Sequence, residues 1–239
     1  MSFSTLFFSM VGGILPALLW LWFWLKEDRL HPEPRRLLIL TFLGGMLVVA
    51  LALPLEQITY YVFKKLGLAA AGGGFLILFV WAFAEEISKY LAAKKIALNK
   101  KEFDEPIDAL VYLITAALGF AALENVIFLL EIINNYGFLA GIVTGNLRFA
   151  GATLIHILSS ATVGASIAFA FFHKKNYRRN VLCGLFFATL LHALFNYFII
   201  KSNGEGVFQI FFPLWILVIV LLVIFEKIKS IKNKTYAKK

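Results

Sequence analysis

Residues 74–98 read GFLILFVWAFAEEISKYLAAKKIAL, an apolar stretch of membrane-spanning length interrupted near its middle by Glu85, Glu86 and Lys89. The apolar residues on either side decide the fold, because an α-helix needs about 20 consecutive apolar residues to cross a bilayer. The charges decide where to look for function. A carboxylate at the centre of a spanning helix costs on the order of 2.5–3.5 kcal/mol even on the biological insertion scale. Two adjacent carboxylates must therefore face protein or water, and the pair is the first candidate for a functional site.

The same apolar pattern recurs along the chain. Of its 239 residues 61% are hydrophobic and only 15% charged, against about 45–50% and about 25% in soluble domains. Spans are expected at about 3–25, 36–57, 74–98, 106–132, 146–173, 179–201 and 207–227. Continuous apolar runs of this length exclude a β-barrel, whose strands alternate. The fold class is all-α, a polytopic transmembrane bundle of about seven spans. It comprises a single membrane domain over residues 1–228 and a basic tail over 229–239. The first span lacks a basic leader and a small-residue cleavage site, so it is read as retained. No loop is long enough for a soluble domain, which confines any activity to the membrane.

The net charge of +9 is distributed by side. Lys and Arg number four in the loop after span one, four after span three, four after span five and six in the tail. That is 18 on one side against 3 on the other. The positive-inside rule then puts the amino terminus outside and the carboxyl tail in the cytoplasm. The basic residues are topology anchors beside anionic lipid, and no nucleic-acid partner is expected. The expected location is the cell membrane.

Trp20, Trp22 and Trp24 stand where interfacial rings anchor a span. Cys183 is the one cysteine, which excludes an intrachain disulfide and points to packing within a helix. Gly72-Gly73-Gly74 reads as a flexible break. Gly119, Gly141, Gly145, Gly151 and Gly164 are places for close helix approach, and the uncharged stretch 133–147 is compatible with a loop, a surface helix or a re-entrant piece.

Few ionisable residues lie inside the spans: Glu85, Glu86, Lys89, Glu124, Arg148, His156 and His192. At about 1.5 Å rise per residue, Glu85 and His156 lie roughly 15 Å below the outer surface, and His192 roughly 20 Å above the inner one. Glu124 is higher still. Acid and imidazole groups from four helices thus share the layer between the midplane and the outer leaflet, as a single site requires. Asn196 lies one turn from His192, and Ser159 and Ser160 lie one turn from His156. Lys89 is one turn from both Glu85 and Glu86 and suits a structural ion pair, and Arg148 is placed to snorkel to the interface.

A carboxylate there can activate water, and an imidazole can ligate a metal or stabilise an oxyanion. Two histidines with one or two carboxylates also form a plausible open zinc site. Serine-type catalysis is disfavoured because no aspartate lies at this depth. A proton-coupled transporter and a non-catalytic scaffold are the competing readings. No inverted repeat supports the transporter.

At these residues the chain resembles the PrsW family of intramembrane proteases, relatives of the CAAX-processing and bacteriocin-immunity membrane proteases. The resemblance rests on Glu85-Glu86-Ile87-Ser88-Lys89, on Phe120-Ala121-Ala122-Leu123-Glu124-Asn125, on His156 and on His192-Ala193-Leu194-Phe195-Asn196. Asp28-Arg29-Leu30-His31-Pro32-Glu33-Pro34, after Pro16 to Trp20, also looks like the family's first span and loop. The resemblance runs from about residue 14 to about residue 200 and implies a protease that cuts a membrane protein near its extracytoplasmic side. In the best-known members that substrate is a single-pass anti-sigma factor. Carried over, Glu85 and Glu86 supply the water-activating base, Glu124, His156 and His192 complete the site, and Asn196 holds the oxyanion. In the zinc form of the chemistry, Glu86, Glu124, His156 and His192 are the ligands; a metal-free, glutamate-dependent form stands beside it.

Overall fold

A computed structural model describes residues 2–28, 31–68, 74–202 and 205–231. Eight α-helices make up the described chain: α1 (Phe3–Leu25), α2 (Arg35–Lys65), α3 (Phe75–Ala93), α4 (Asp108–Tyr136), α5 (Phe138–Leu147), α6 (Thr153–Phe169), α7 (Tyr177–Ser202) and α8 (Val207–Lys229). Six helical stretches are long and apolar enough to cross a membrane, one of them Phe138–Phe169, in which α5 continues into α6. The remaining helix, α3, carries Glu85, Glu86 and Lys89 and packs against α2 and α7. The all-α polytopic reading stands.

At the centre is α4, buried almost without interruption from Asp108 to Ala122 and contacted by α1, α2, α3, α5 and α6. Its small residues explain the position. Between helices in lipid there is little hydrophobic gain, so close van der Waals packing decides association. A Cβ added at Gly119 would lie 1.9 Å from the Phe42 carbonyl oxygen, and one at Gly45 would lie 2.0 Å from that of Ala116. The α2–α4 crossing therefore requires glycine on both helices. Gly164 meets the backbone of Ala109 and Leu110 in the same way, and Gly151 seats the Phe211 ring. Gly141 packs on Ile133, whereas Gly145 makes only ordinary contact.

Several expectations need correction. α2 continues to Lys65, eight residues past the expected end. At about 1.5 Å per residue its 31 residues reach roughly 45 Å, well beyond a hydrocarbon core of about 30 Å. Residues 138–147 are helical and run through a π-type turn (Arg148–Ala152) into α6. Trp22 alone of the three tryptophans faces outward, with Lys26 Nζ 3.2 Å from its ring, while Trp24 is buried and stacked on Phe225. Cys183 lies on α7 but is exposed, not packed. Gly72, Gly73 and the tail residues 232–239 lie outside the described residues.

The loops with the basic clusters gather at one end of the bundle. Lys229 Nζ bonds Glu27 at 2.8 Å, His31 pairs with Glu105, and Phe103 meets Phe171 edge-on at 5.1 Å. The same end holds buried acids. The Tyr112 hydroxyl donates to Glu33, and Asp108 Oδ2 accepts the Asp104 and Glu105 amides at 3.0 and 2.8 Å, closing the start of α4.

Candidate active site and metal centre

On α3, Glu85, Glu86 and Lys89 share one inward face because they are three and four residues apart. The Lys89 ammonium is fully buried and lies 2.7 Å from Glu86 Oε1, 3.2 Å from Glu85 Oε2 and 2.8 Å from His156 Nδ1. Its Nζ also stands 4.3 Å from the centre of the Phe120 ring. Lys89 is therefore more than an intrahelical partner: it joins α3 to α6.

The two glutamates differ in what surrounds them. Glu86 is saturated. Its Oε1 accepts from Lys89, from the Ser159 hydroxyl at 2.9 Å and from His192 Nδ1 at 2.9 Å, and its Oε2 accepts from Ser160 at 2.9 Å. Glu85 has the longer Lys89 contact alone, with His156 Nδ1 and His192 Nε2 nearby at 3.7 and 3.9 Å from Oε2.

The partners also fix the imidazole protons. An ammonium only donates, so His156 Nδ1 accepts from Lys89 and the ring proton lies on Nε2, which donates to Glu124 Oε2 at 3.0 Å. A carboxylate only accepts, so His192 Nδ1–H donates to Glu86 and Nε2 keeps its lone pair. The two rings meet edge-on with centroids 4.9 Å apart. Glu124 is held from its other side by Arg148 Nη2 at 2.5 Å, while Arg148 Nε donates to Asn125, whose amide bonds the Thr153 hydroxyl at 3.1 Å. Arg148 thus belongs to the polar network, where interfacial snorkelling was expected. The π-type turn that begins at Arg148 lies one turn before His156 on the same helical stretch.

The expected residues therefore meet, with two qualifications. Asn196, one turn beyond His192 on α7, is half-buried, and among the described residues no hydrogen bond ties it to the cluster. Glu124 touches His156 from outside the group of converging donors. That group comprises Glu85, Glu86, His156 and His192, all buried, and one ligand atom from each lies within 4.8 Å of the other three. Two imidazoles and two carboxylates are a donor set that suits zinc; the Lys89 ammonium rests against three of the same residues and would have to yield the His156 Nδ1 lone pair to a metal. Glu124 is bonded to the far nitrogen of His156, where a carboxylate could orient that imidazole were it to ligate a metal.

Glu56 on α2 was missed. It lies within electrostatic range of Glu85, Glu124 and Lys89, and Trp81, one turn before Glu85, donates its indole N–H to the Glu56 carbonyl at 3.0 Å. The signal was a glutamate inside an apolar run, obscured because Glu56-Gln57 resembles the end of a span.

A family model described as PrsW family intramembrane metalloprotease matches residues 33–225. The chain is 27% identical over 208 residues to Protease PrsW of Geobacillus kaustophilus, covering 87% of each chain. It is 27% identical over 229 residues to Protease PrsW of Clostridioides difficile, covering 94% of this chain and 89% of that one. A shorter stretch of 120 residues is 31% identical to Protease PrsW of Bacillus subtilis, covering 50% and 52%. No solved structure matches the chain significantly.

Proposed function

The chain belongs to the PrsW family of intramembrane metalloproteases, and from that premise we propose that Glu85 activates the water that cleaves a single-pass membrane protein of the anti-sigma-factor kind. It is a multi-pass protease of the cell membrane. An orientation with the basic loops in the cytoplasm supports a cut in the outer half of the bilayer.

The unequal surroundings of the two glutamates carry this assignment. Glu86, bound by an ammonium, two hydroxyls and an imidazole, is held as an anchor and ligand, because taking up a proton there would weaken those bonds. Glu85 makes one long ion pair and has capacity left to take a proton from water and return it to the leaving amine. His156, His192 and Glu86 would hold the metal, with Glu124 and Arg148 orienting His156. When bound, zinc polarises the scissile carbonyl and lowers the pKa of its water. The Asn196 amide, to which no hydrogen bond is made among the described residues, is available to donate to the oxyanion.

The test is Glu85→Gln with a co-expressed single-pass substrate. Cleavage is expected to fall by about 10³-fold or more while the protein still accumulates, because the amide keeps an acceptor for Lys89. Cleavage at the wild-type rate defeats the assignment. Protein purified without chelator is expected to contain about one zinc per chain, lost together with activity on chelation.

A further inference from the structure

We propose that the cavity beside Glu56 is a binding subsite for a cationic side chain, lysine or arginine, of the membrane substrate. The ligand's identity rests on the proteolytic reading; the subsite rests on geometry. The cavity, of about 400 Å³, is lined by Leu53, Glu56, Gln57, Tyr60 and Trp81. The Trp81–Glu56 bond ties α2 to α3 one turn from Glu85, so this cavity adjoins the cluster on the side away from the basic loops.

Among the described residues, no hydrogen bond or ion pair reaches the Glu56 carboxylate, whereas Glu85, Glu86 and Glu124 all have partners. An unpaired carboxylate inside a span is costly, and no fixed cation is left over for it: Lys89 is shared by Glu85 and Glu86, and Arg148 is bound to Glu124. Four carboxylates thus face two cations. The cavity lining includes side chains of the kinds a third cation needs, the Tyr60 and Trp81 rings for a cation–π contact and the Gln57 amide for a hydrogen bond. A lysine or arginine just outside the hydrocarbon core of a single-pass substrate can reach such a site by snorkelling.

The test uses the full chain in phosphatidylglycerol nanodiscs, which offer no cationic headgroup. The probes are fluorescent single-pass peptides carrying one Lys, Gln or Glu at successive positions near the outer interface. At one position the Lys peptide is expected to bind about tenfold more tightly than the Gln peptide. Glu56→Gln should erase that preference, and Glu56→Lys should favour the Glu peptide. Equal binding of Lys and Gln peptides at every position, or a preference that survives Glu56→Gln, overturns the proposal. Loss of the wild-type preference on adding phosphatidylethanolamine also overturns it, by assigning the cavity to a lipid headgroup. A Lys preference without cleavage of any peptide leaves the subsite standing and defeats the proteolytic reading.

Discussion

Two layers of buried acids lie at opposite depths of the bundle, roughly 24 Å apart along α4 from Asp108 to Glu124. In the deeper layer, Glu85 and Glu86 share the Lys89 ammonium and Glu124 is bound by Arg148. In the rim layer, Asp28, Glu33 and Asp108 are buried, yet among the described residues no lysine or arginine pairs with them. Asp108 accepts backbone amides and Glu33 accepts from the Tyr112 hydroxyl and bonds Asp108, while among the described residues Asp28 Oδ2 has no hydrogen-bond partner. Burial holds the Glu33 carboxyl above the usual carboxylate range, against the opposing hydrogen bonds from Tyr112 and Asp108. Glu85, Glu86 and Glu124 are balanced by fixed cations, whereas burial at the rim favours the protonated form of Glu33. Where water is far away a carboxylate kept charged for chemistry needs a cation in contact; near the interface a proton suffices.

The sharpest way to break this contrast is to remove one cation. Lys89→Met leaves Glu85 and Glu86 buried without compensation, and breaking a buried pair in this way costs about 3–5 kcal/mol. The expected outcome is a sharp fall in accumulation and in the melting temperature in detergent. Partial recovery is expected in Lys89→Met/Glu86→Gln, where the amide removes the stranded charge. Wild-type stability of the single variant would show that fixed cations do not hold the layer together. Arg148→Gln should do less, because Arg148 and Glu124 retain 16% and 28% side-chain exposure. Activity is expected to fall about 10–100-fold through the loss of His156 orientation, with a stability change of about 1 kcal/mol or less. Cleavage assays and melting curves on the same preparation separate the two effects.

The sequence makes the deeper layer visible because charge inside a span is rare, and rise per residue alone places Glu85, Glu124, His156 and His192 at one depth. It does not show which nitrogen of His156 faces Lys89 and which faces Glu124, since that depends on how α6 is rotated against α3 and α4. Gly45 gave no signal until its partner Ala116 was known. Stretch 133–147 contains Asn134, Asn135 and Gly137, and only the packing of Gly141 on Ile133 shows the chain turning back as a helix. Glu56 falls one residue inside the expected end of span two, so its place beside Glu85 depends on α2 continuing to Lys65. Polar residues deep in a span are legible from composition; those near an interface need the fold.

Glu33→Gln offers the smallest and most specific test of the rim. The groups facing Glu33 are Tyr112, Asp108, Asp28 and Asp104. Because its folded pKa is raised, the folded state holds the proton more tightly than the unfolded chain does. The stability this supplies is fully present below the ordinary glutamate value and is lost as pH rises through the folded value. Glutamine is neutral throughout and still accepts from Tyr112. Wild type and variant should therefore melt alike in acid, and the wild type should become the less stable of the two as pH rises. The gap at neutral pH is expected to be on the order of 1 kcal/mol, the net worth of one hydrogen bond gained or strained. Cleavage, measured at one pH, should not change, because the substitution leaves every contact around Glu85 and Glu86 in place. A melting-temperature difference that is constant from about pH 4 to about pH 8 would mean that Glu33 does not exchange its proton over that range. The rim would then hold its acids by hydrogen bonds alone, and the contrast between fixed cations and protons would fail.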